Sequence, residues 1–457
     1  MDFLDRESEM ALLNDHLARP GAGMFILYGR RRIGKTALLH KAIETIPGAT
    51  YHVATRSTIT EELRRLSVTL AASWQAPLLA AQPLGSAEAL LAFLEGAAAP
   101  GPLVLDEFPY LVEAEPALPG LLQARWDAAL SRRNIKLVLC GSSVGMMEDI
   151  FLSQRSPLFG RRTGQLRLGP LAPHHLRPAF GRTLAEMVEL SAVFGGVPGY
   201  LQRLNPAADL ATNIRRHLLQ RGEPLYEEIP FLLREELREP RVYHAILATI
   251  ATGARKFGEI SSKVGLDRAN LSRYLSVLID LGLVEREVPI TEHQPDKSRK
   301  GLYRIADPFV AAWFTFVHPY RDALERGLAD DVLERDVLPR LQVYLSHAVE
   351  PVLRELLQRG PLSTAVPFPP SHGGRYWSPT AELDIVLLDE RRQQAFIAEV
   401  KWTRERVSLS ELDHLRRRVA GESALTALKP TFALVSRNGF TGRRLDPDER
   451  AIDLSKA

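Results

Sequence analysis

The chain has 457 residues, of which 45% are hydrophobic and 25% are charged, and its formal net charge is +3. This composition is typical of a globular protein with about two to four domains. The single cysteine, Cys140, excludes an internal disulfide and fits a reducing compartment. Because the sequence has no apolar run of roughly 18 residues and no basic-then-apolar N-terminal signal, we expect a cytoplasmic protein without a membrane partner.

Residues 29–36 read Gly-Arg-Arg-Arg-Ile-Gly-Lys-Thr and match the phosphate-binding pattern G-x-x-x-x-G-K-[ST] at every fixed position. They follow a strand-like apolar run at 24–28 and open a helical run at 36–41, which is the context in which this motif binds nucleotide. In that context Lys35 reaches the β- and γ-phosphates of ATP, and the Thr36 hydroxyl binds Mg²⁺. The predicted nucleotide contacts in the loop are Gly29, Arg30, Arg31, Arg32, Ile33, Gly34, Lys35, Thr36 and Ala37.

Two acidic residues at the end of the next apolar run supply what hydrolysis requires. Residues 103–105 are typical of a buried parallel strand, and Asp106 and Glu107 follow them. Ligands bind at the carboxyl ends of parallel strands in open α/β sheets. We therefore expect Asp106 to hold the Mg²⁺ shell and Glu107 to polarise the attacking water. The alternative is an acidic turn after a strand.

Polar residues after a third apolar run, at 136–140, are candidates to sense the γ-phosphate. Ser142 or Ser143 could contact it, although serine is also common in ordinary turns. Further along, Arg161 and Arg162 lie in a loop from which one guanidinium could reach the γ-phosphate of a neighbouring protomer in a homo-oligomer. The alternative for these arginines is a solvated basic loop or a contact with nucleic acid.

Motifs in the first half of the chain resemble those of the archaeal-type ATPase family, in the AAA+/STAND division of P-loop ATPases, and they appear in the same order. These motifs lie at residues 3–9, 29–36, 103–108, 139–143 and 194–200. The resemblance implies that the first of them lies near the adenine, with Arg6 as a contact. It also implies that the segment 195–198, which includes Pro198, belongs to a helical lid over the nucleotide.

From about residue 241 the pattern becomes helical and then strand-like. Apolar spacing predicts helices over 243–250, 257–264 and 266–278, the last with Asp267 as N-cap, followed by strands at 283–288 and 301–305. This is the order of a winged helix-turn-helix, whose third helix can enter the major groove of DNA while the wing contacts phosphates. The candidate DNA contacts are Arg268, Asn270, Arg273, Lys297, Arg299 and Lys300. The alternative is a winged helix used for domain packing or partner contact.

Two strand-like runs, at 381–389 and 395–402, bring carboxylates and a lysine together across a predicted hairpin. Strand alternation places Glu399 and Lys401 on one face. Asp384 and Glu399 could then hold a divalent metal, Mg²⁺ or Mn²⁺, through oxygen ligands. Lys401 would position or activate water for attack on a phosphodiester. The alternative is a solvated hairpin with a charged face.

The combination of Asp384 with the run Glu399-Val-Lys401 resembles the PD-(D/E)XK nuclease superfamily, over residues 338–457. The resemblance implies a restriction-endonuclease-like fold, in which an acid on an upstream helix often completes the metal site. Glu350 stands where that acid is expected and is the third predicted metal ligand. Archaeal-type ATPases often carry such a domain at the C-terminal end. A domain with this fold need not cleave DNA.

The sequence therefore predicts an α/β protein in five parts. These are a P-loop ATPase core with a parallel sheet over 1–170, a helical lid over 171–235, an all-α winged helix-turn-helix over 236–317, a linker helix over 318–337, and a restriction-endonuclease-like α/β domain over 338–457. The leading hypothesis couples ATP hydrolysis to DNA binding or to metal-dependent DNA cleavage. The alternative is a STAND-type nucleotide switch whose C-terminal domain is a catalytically inactive module that binds DNA or a partner.

Overall fold

The computed structural model describes residues 6–97, 101–391 and 393–456. Within these ranges the chain forms two compact units. The N-terminal unit comprises Asp2–Pro170 with Val197–Gly199, and the C-terminal unit comprises Leu171–Gly196 with Tyr200–Ala457. None of the helices in this part of the chain combines the length and the apolar character that a membrane crossing needs.

The N-terminal unit is built on a five-stranded sheet in which neighbouring strands are parallel. The strands lie in the order β2-β3-β4-β1-β5, and their bounds are β1 Gly23–Tyr28, β2 Thr50–Val53, β3 Leu103–Asp106, β4 Lys136–Gly141 and β5 Gly164–Arg167. Every residue of β1, β3 and β4 is buried. Both faces of a parallel sheet are covered, which explains why these three strands are apolar along nearly their whole length. Cys140 is one of their buried residues.

The α-helices of the N-terminal unit place the candidate motifs at one edge of this sheet. They are α1 Glu7–Ala18, α2 Lys35–Ile43, α3 Ile59–Ser73, α4 Leu78–Ala81, α5 Ala87–Gly96, α6 Phe108–Ala114, α7 Leu118–Ala128 and α8 Val144–Phe151. Helices α2, α6 and α8 follow β1, β3 and β4, which are adjacent parallel strands. The connections at 29–34, at Glu107 and at 142–143 therefore meet at the carboxyl ends of the strands.

The C-terminal unit contains short helices followed by the predicted succession of three helices and two strands. The bounds are α9 Arg177–Phe180, α10 Leu184–Phe194, α11 Pro198–Leu201, α12 Leu210–Asn213, a π-helix Ile214–Leu219, α13 Glu228–Glu236, α14 Pro240–Ala251, α15 Phe257–Val264, α16 Arg268–Asp280, β6 Val284–Glu287 and β7 Leu302–Ile305. The first two residues of α11 are assigned to the N-terminal unit. The two strands pair antiparallel. Asp267 caps α16 by accepting from the Asn270 N–H at 2.9 Å, so the predicted cap is confirmed. Leu271, Leu275 and Leu278 share the buried face of this helix.

The prediction of one linker helix over 318–337 is wrong. This segment contains α18 Arg321–Glu325, α19 Ala329–Val332 and a π-helix Leu333–Val337. It is preceded by α17 Pro308–Phe316 and followed by α20 Leu338–Arg359. Gly327 has φ +83° and ends the run of α18, because the left-handed region does not continue a helix. Beyond it the helical conformation continues from Ala329 to Arg359, so the chain has no break at Leu338.

The last part of the C-terminal unit is an α/β arrangement on a mixed five-stranded sheet. Its strands are β8 His372–Trp377, β9 Glu382–Asp389, β10 Gln394–Lys401, β12 Lys429–Ser436 and β14 Glu449–Asp453, in the order β14-β12-β10-β9-β8. Strands β11 Val407–Ser408 and β13 Phe440–Thr441 form a small second sheet, and the helices are α21 Glu411–Ala420 and α22 Ser423–Thr426. Strands β9 and β10 pair antiparallel, which confirms the predicted hairpin.

Candidate functional site

The phosphate-binding loop has the backbone shape that its glycines permit. Gly34 has φ +96°, and a Cβ added at Gly29 would lie 2.6 Å from the carbonyl oxygen of Leu168. A side chain at either position would strain the loop. The Lys35 ammonium donates to the carbonyl oxygens of Gly29 at 2.8 Å and Arg30 at 3.1 Å. The loop thus curls around the lysine that is predicted to reach the phosphates, and Thr36 and Ala37 lie exposed in the first turn of α2.

Arg6 supports the loop from within the protein. It is only 5% exposed, and its guanidinium donates to the carbonyl oxygens of Ile33 at 3.2 Å and Gly169 at 2.6 Å. It also forms an ion pair with Glu9 at 3.2 Å. These contacts give Arg6 a structural role beside the nucleotide loop. Its predicted contact with adenine stays a prediction, and residues 3–5 of the same segment lie outside the described residues.

The segment Val197–Gly199 lies against the same loop. The Gly199 N–H donates to the Arg32 carbonyl oxygen at 3.0 Å, and a Cβ added at Gly199 would lie 2.5 Å from the Cβ of Arg32. A Cβ added at Gly34 would lie 3.7 Å from the Cγ of Pro198. The predicted lid residue Pro198 is therefore next to the loop, and glycine at 199 is what permits this approach.

Arg31 connects the loop to helix α6. Its guanidinium donates to the Tyr110 hydroxyl at 3.1 Å, and the Arg56 guanidinium lies over the same ring at 5.1 Å from its centroid. A phenol between two guanidinium groups fixes both by a hydrogen bond and a cation–π contact. One of the three loop arginines thus has a structural partner that the sequence did not indicate.

The residues predicted to bind Mg²⁺ lie in direct contact. The Thr36 hydroxyl donates to Oδ2 of Asp106 at 3.1 Å, and the Glu107 N–H donates to Oδ1 at 2.9 Å. Asp106 is only 4% exposed. A hydroxyl and a carboxylate at this distance, both oxygen donors beside the loop, fit the inner and outer shells that Mg²⁺ prefers.

Glu107 has an uncommon backbone conformation, and its carboxylate is bound by Ser142. Its φ is +53°, which is uncommon for a residue with a side chain and is often found at functional sites. The backbone N–H and the hydroxyl of Ser142 both donate to Oε2 of Glu107, at 3.2 Å and 2.9 Å. Ser142 therefore orients the carboxylate that is predicted to polarise water. The predicted contact of Ser142 or Ser143 with the γ-phosphate stays a prediction, and Ser143 directly precedes α8.

Tyr51 is a residue of this site that the sequence reasoning missed. Its hydroxyl makes a short hydrogen bond to Oδ2 of Asp106, the oxygen that also accepts from Thr36. Burial, together with the hydrogen bond to Asp106 and the charge of Asp106, raises the pKa of Tyr51, so the phenol remains a donor. Val53 pairs with Asp106 in the adjacent strand, and Tyr51 lies two residues earlier on the same face. No signal in the sequence gives this register.

We expect Tyr51→Phe to lower the free energy of unfolding by about 1–3 kcal/mol in nucleotide-free protein, since a buried carboxylate loses a donor. MgADP should narrow this difference, because a bound cation compensates the carboxylate. Urea unfolding with and without MgADP measures both effects. Tyr28→Phe is the matched control, since Tyr28 is a buried residue of β1 whose hydroxyl has no hydrogen bond to a described residue. Equal losses in the two variants would contradict the role of Tyr51.

Arg161 and Arg162 contact their own chain. Arg161 pairs with Asp127 at 3.0 Å, and Arg162 donates to the Gln165 side chain and to the Phe151 carbonyl oxygen. Both precede the edge strand β5. Their predicted reach to a neighbouring protomer stays a prediction.

The candidate DNA contacts are brought together only in part. Arg268 and Arg299, with Arg286, line a cavity of about 530 Å³ between the start of α16 and the wing. The other four candidate DNA contacts do not line this cavity. Three of them have a partner close by in the described residues, and the fourth is exposed. Asn270 donates to Asp267 at 2.7 Å, Arg273 pairs with Glu239 at 3.7 Å, Lys300 pairs with Glu292 at 3.2 Å, and Lys297 lies exposed in the wing.

The structure brings all four residues of the candidate cleavage site into one region. The Val400 N–H donates to Oδ2 of Asp384 at 2.9 Å. Glu399 pairs with Lys401 at 3.2 Å, and Glu350, on α20, is 8% exposed. Burial and the neighbouring charges of Glu399 and Glu350 raise the pKa of Asp384 to about 7. The carboxylates thus repel one another, as they do in a site short of positive charge.

Arginine side chains partly neutralise the carboxylates of Glu399 and Glu350. The Arg418 guanidinium lies 2.7 Å from Oε2 of Glu399, as an ion pair whose geometry does not make a hydrogen bond. Arg375 lies 3.5 Å from Glu350. Within the described residues no three His, Cys, Asp or Glu side chains are arranged as ligands of one metal ion. Carboxylate oxygens are donors of the type that a divalent cation takes, and binding would require the carboxylates to rearrange and to leave these basic partners.

Family models match three parts of the chain. Residues 3–204 match an ATPase domain predominantly from Archaea, residues 244–288 match the IclR helix-turn-helix domain, and residues 313–413 match archaeal and bacterial proteins of unknown function. The predicted archaeal-type ATPase domain and helix-turn-helix are therefore confirmed. The nuclease-like C-terminal domain stays a prediction.

An uncharacterized protein of Methanocaldococcus jannaschii is 33% identical to this chain over 402 residues, which are 88% of this chain and 87% of that protein. The structure of a Walker-type ATPase of Pyrococcus abyssi has a TM-score of 0.51 and 22% identity, and it covers 68% of this chain and 96% of that chain. The Aeropyrum pernix ORC2 protein has a TM-score of 0.43 and 15% identity, over 73% of this chain and 96% of its own. The chain thus has a Walker-type P-loop ATPase fold in its first part, and it belongs to the same family as the Methanocaldococcus jannaschii protein.

Proposed function

We propose that this protein binds and hydrolyses ATP with Mg²⁺ and couples its nucleotide state to an action on DNA. The observation that carries the ATPase half is the hydrogen-bonded series in which Thr36 contacts Asp106 and Ser142 contacts Glu107. These groups lie at the carboxyl ends of adjacent parallel strands, beside the loop that holds Lys35.

Each residue has a defined task in this proposal. Lys35 would exchange its loop carbonyl partners for phosphate oxygens, and Thr36 and Asp106 would hold Mg²⁺. A bound cation would neutralise negative charge on the phosphates. Glu107, oriented by Ser142, accepts the proton of the attacking water. Arg6 keeps the loop in shape through its two carbonyl contacts.

The DNA half of the proposal rests on the match of residues 244–288 to a helix-turn-helix and on the basic residues around it. Arg268 and Arg299 line one cavity at the start of α16, the helix that would enter the major groove. The exposed Lys297 extends the positive charge along the wing. Basic side chains along one face are the electrostatic requirement for phosphate contact.

A second candidate function is metal-dependent cleavage of a phosphodiester by a PD-(D/E)XK-like domain. The observation that favours it is the raised pKa of Asp384 beside Glu350 and Glu399, with Lys401 on the same side. A perturbed carboxylate cluster with a lysine is typical of a catalytic site. Mg²⁺ or Mn²⁺ held by the three carboxylates would polarise the phosphodiester. The rival is a STAND-type switch in which this domain binds DNA or a partner without cleaving.

The two functions separate in one set of assays on wild type, Lys35→Ala and Asp384→Ala. We expect wild type to release phosphate from ATP, Lys35→Ala to lose that activity, and Asp384→Ala to keep it. ATP hydrolysis that persists in Lys35→Ala would contradict the ATPase assignment.

The same proteins are incubated with plasmid DNA and Mg²⁺ or Mn²⁺, with and without ATP. Cleavage by wild type that Asp384→Ala lacks is the expected result. Plasmid that stays intact under every condition would contradict the cleavage hypothesis and favour the STAND-type nucleotide switch. DNA that neither binds nor changes the ATPase rate would contradict the DNA half as well.

A further inference from the structure

A cavity of about 330 Å³ lies inside the C-terminal unit, between the winged-helix strands on one side and α20 and β8 on the other. Four arginines line it, namely Arg255, Arg304, Arg354 and Arg375. Glutamates line it as well, and one of them is Glu350, a predicted metal ligand. The cavity therefore borders the candidate cleavage site, and no sequence motif indicated it.

Three of these arginines are held in place by a carboxylate of β6. The Glu287 side chain accepts from Arg304 at 3.1 Å and pairs with Arg354 at 3.5 Å and Arg375 at 3.7 Å. Burial alone would raise the pKa of Glu287, but the surrounding guanidinium groups hold it below its ordinary value. Because the arginines are already ordered, a ligand that binds them loses little additional side-chain entropy.

Arg375 is directed into the cavity by an irregularity in β8. The pairing of β8 with β9 shifts register between Gly374 and Tyr376, and such a bulge re-aims the side chain that it carries. The Ile290 N–H, after β6, donates to the Arg375 carbonyl oxygen at 2.9 Å. The Nε of Arg375 is buried and has no hydrogen-bond acceptor in the described residues, although the Glu350 carboxylate lies 3.5 Å away. A buried donor without an acceptor can be satisfied by an oxygen of a ligand.

Arg255 adds a charge that its neighbours do not neutralise. It lies between α14 and α15, and its carbonyl oxygen accepts from the Tyr303 N–H at 2.8 Å, so its backbone is anchored on the winged helix. Within the described ranges its guanidinium has no hydrogen-bond or ion-pair partner, while it lines the cavity. Guanidinium groups match the oxygen geometry of phosphate with paired N–H donors.

We propose that this cavity binds a backbone phosphate of a DNA strand, and that the winged helix and the carboxylate site thereby act on the same strand. Arg255 contributes from the winged-helix wall and Arg375 from the wall that carries Glu350. A polyanion suits this arrangement better than a lone phosphate, because positive groups are spread over two walls while Glu350 repels an anion at one end. The inference rests on the proposed action on DNA and extends it to a second contact surface.

The test compares binding of a fluorescein-labelled oligonucleotide to wild type and Arg255→Ala by anisotropy, in EDTA and over a series of salt concentrations. We expect Arg255→Ala to bind several-fold more weakly, and the slope of log affinity against log salt to fall by about 1, as for one lost phosphate contact. Arg255→Lys retains the charge and should restore most of the slope. Arg241→Ala, an exposed arginine on α14 outside this cavity, is the control for the loss of one charge.

The possible results distinguish a failure of this phosphate contact from a failure of the proposed action on DNA. If wild type binds the oligonucleotide but Arg255→Ala matches Arg241→Ala in affinity and slope, the cavity is not a DNA contact. If wild type binds neither the single-stranded nor the double-stranded form of the oligonucleotide, the proposed action on DNA fails and this inference fails with it. Inorganic phosphate that removes the difference between wild type and Arg255→Ala at constant ionic strength would reassign the cavity to free phosphate and overturn the assignment to DNA.

Discussion

Replacing Glu107 with glutamine is expected to lower the rate constant of ATP hydrolysis by about 10²–10⁴-fold while ATP binding is retained. Glutamine keeps the size of the side chain and can still accept from Ser142, but it cannot take a proton from water. The residues that contact phosphate and Mg²⁺, namely Lys35, Thr36 and Asp106, remain in place. Phosphate release measures hydrolysis, and fluorescence titration with a labelled ATP analogue measures binding.

Two further variants show whether the effect belongs to the carboxylate at this position. Ser142→Ala should give a smaller loss of rate, because it removes one of the two donors that orient Oε2 of Glu107 and leaves the base itself. Glu113→Gln, on the exposed part of α6, should hydrolyse ATP at the wild-type rate. If Glu107→Gln and Glu113→Gln retain equal activity, another group activates the water.

The arrangement at the ATP loop follows from sequence because its parts are local. The loop, Asp106, Glu107 and Ser142 each directly follow an apolar strand, and adjacent parallel strands bring their carboxyl ends together. Alternation along β10 likewise predicted that Glu399 and Lys401 share a face, and these two side chains form an ion pair. A residue that directly follows a strand can therefore be placed at the edge of the sheet from the local sequence, without knowledge of contacts between distant parts of the chain.

Tyr51 and Arg375 could not be predicted in the same way. The contact of Tyr51 with Asp106 joins residues that are 55 positions apart in the chain and depends on the register between two strands, which the sequence does not state. The position of Arg375 depends on a bulge and on the approach of Ile290 from a different element. The prediction of one linker helix was wrong because it did not anticipate the left-handed conformation of Gly327, at which the helical run breaks.

The second large effect is expected at Asp384, where replacement by asparagine should stabilise the metal-free protein at neutral and higher pH. The pKa of Asp384 is raised from 3.8 to about 7, chiefly by burial and then by Glu399 and Glu350. The folded state therefore binds this proton more tightly than the unfolded state does. The resulting destabilisation grows as the pH rises from about 3.8 to about 7 and is complete above that range, with an upper limit of about 4 kcal/mol.

Asp384→Asn removes this charge and can still accept from the Val400 N–H. We expect its free energy of unfolding to exceed that of wild type at pH 8, and the difference to shrink to near zero as the pH falls below 3.8, where the wild-type carboxyl becomes protonated in both states. Thermal unfolding and hydrogen exchange of the β9–β10 hairpin measure this difference. Asp389→Asn, at the far end of β9, is the control for removing one carboxylate from the same strand.

At pH 8, Mn²⁺ should make wild type more stable to unfolding than Asp384→Asn, which is the reverse of the order without metal. A cation among Glu350, Asp384 and Glu399 neutralises the repulsion that raises the pKa of Asp384, so Mn²⁺ should stabilise wild type and leave Asp384→Asn nearly unchanged. At pH 5 the proton competes for the same carboxylate, and the stabilisation of wild type should be smaller. Equal stabilisation of both proteins by Mn²⁺ at pH 8 would show that the ion binds elsewhere. The carboxylates would then be a charged cluster of the domain and not a metal site.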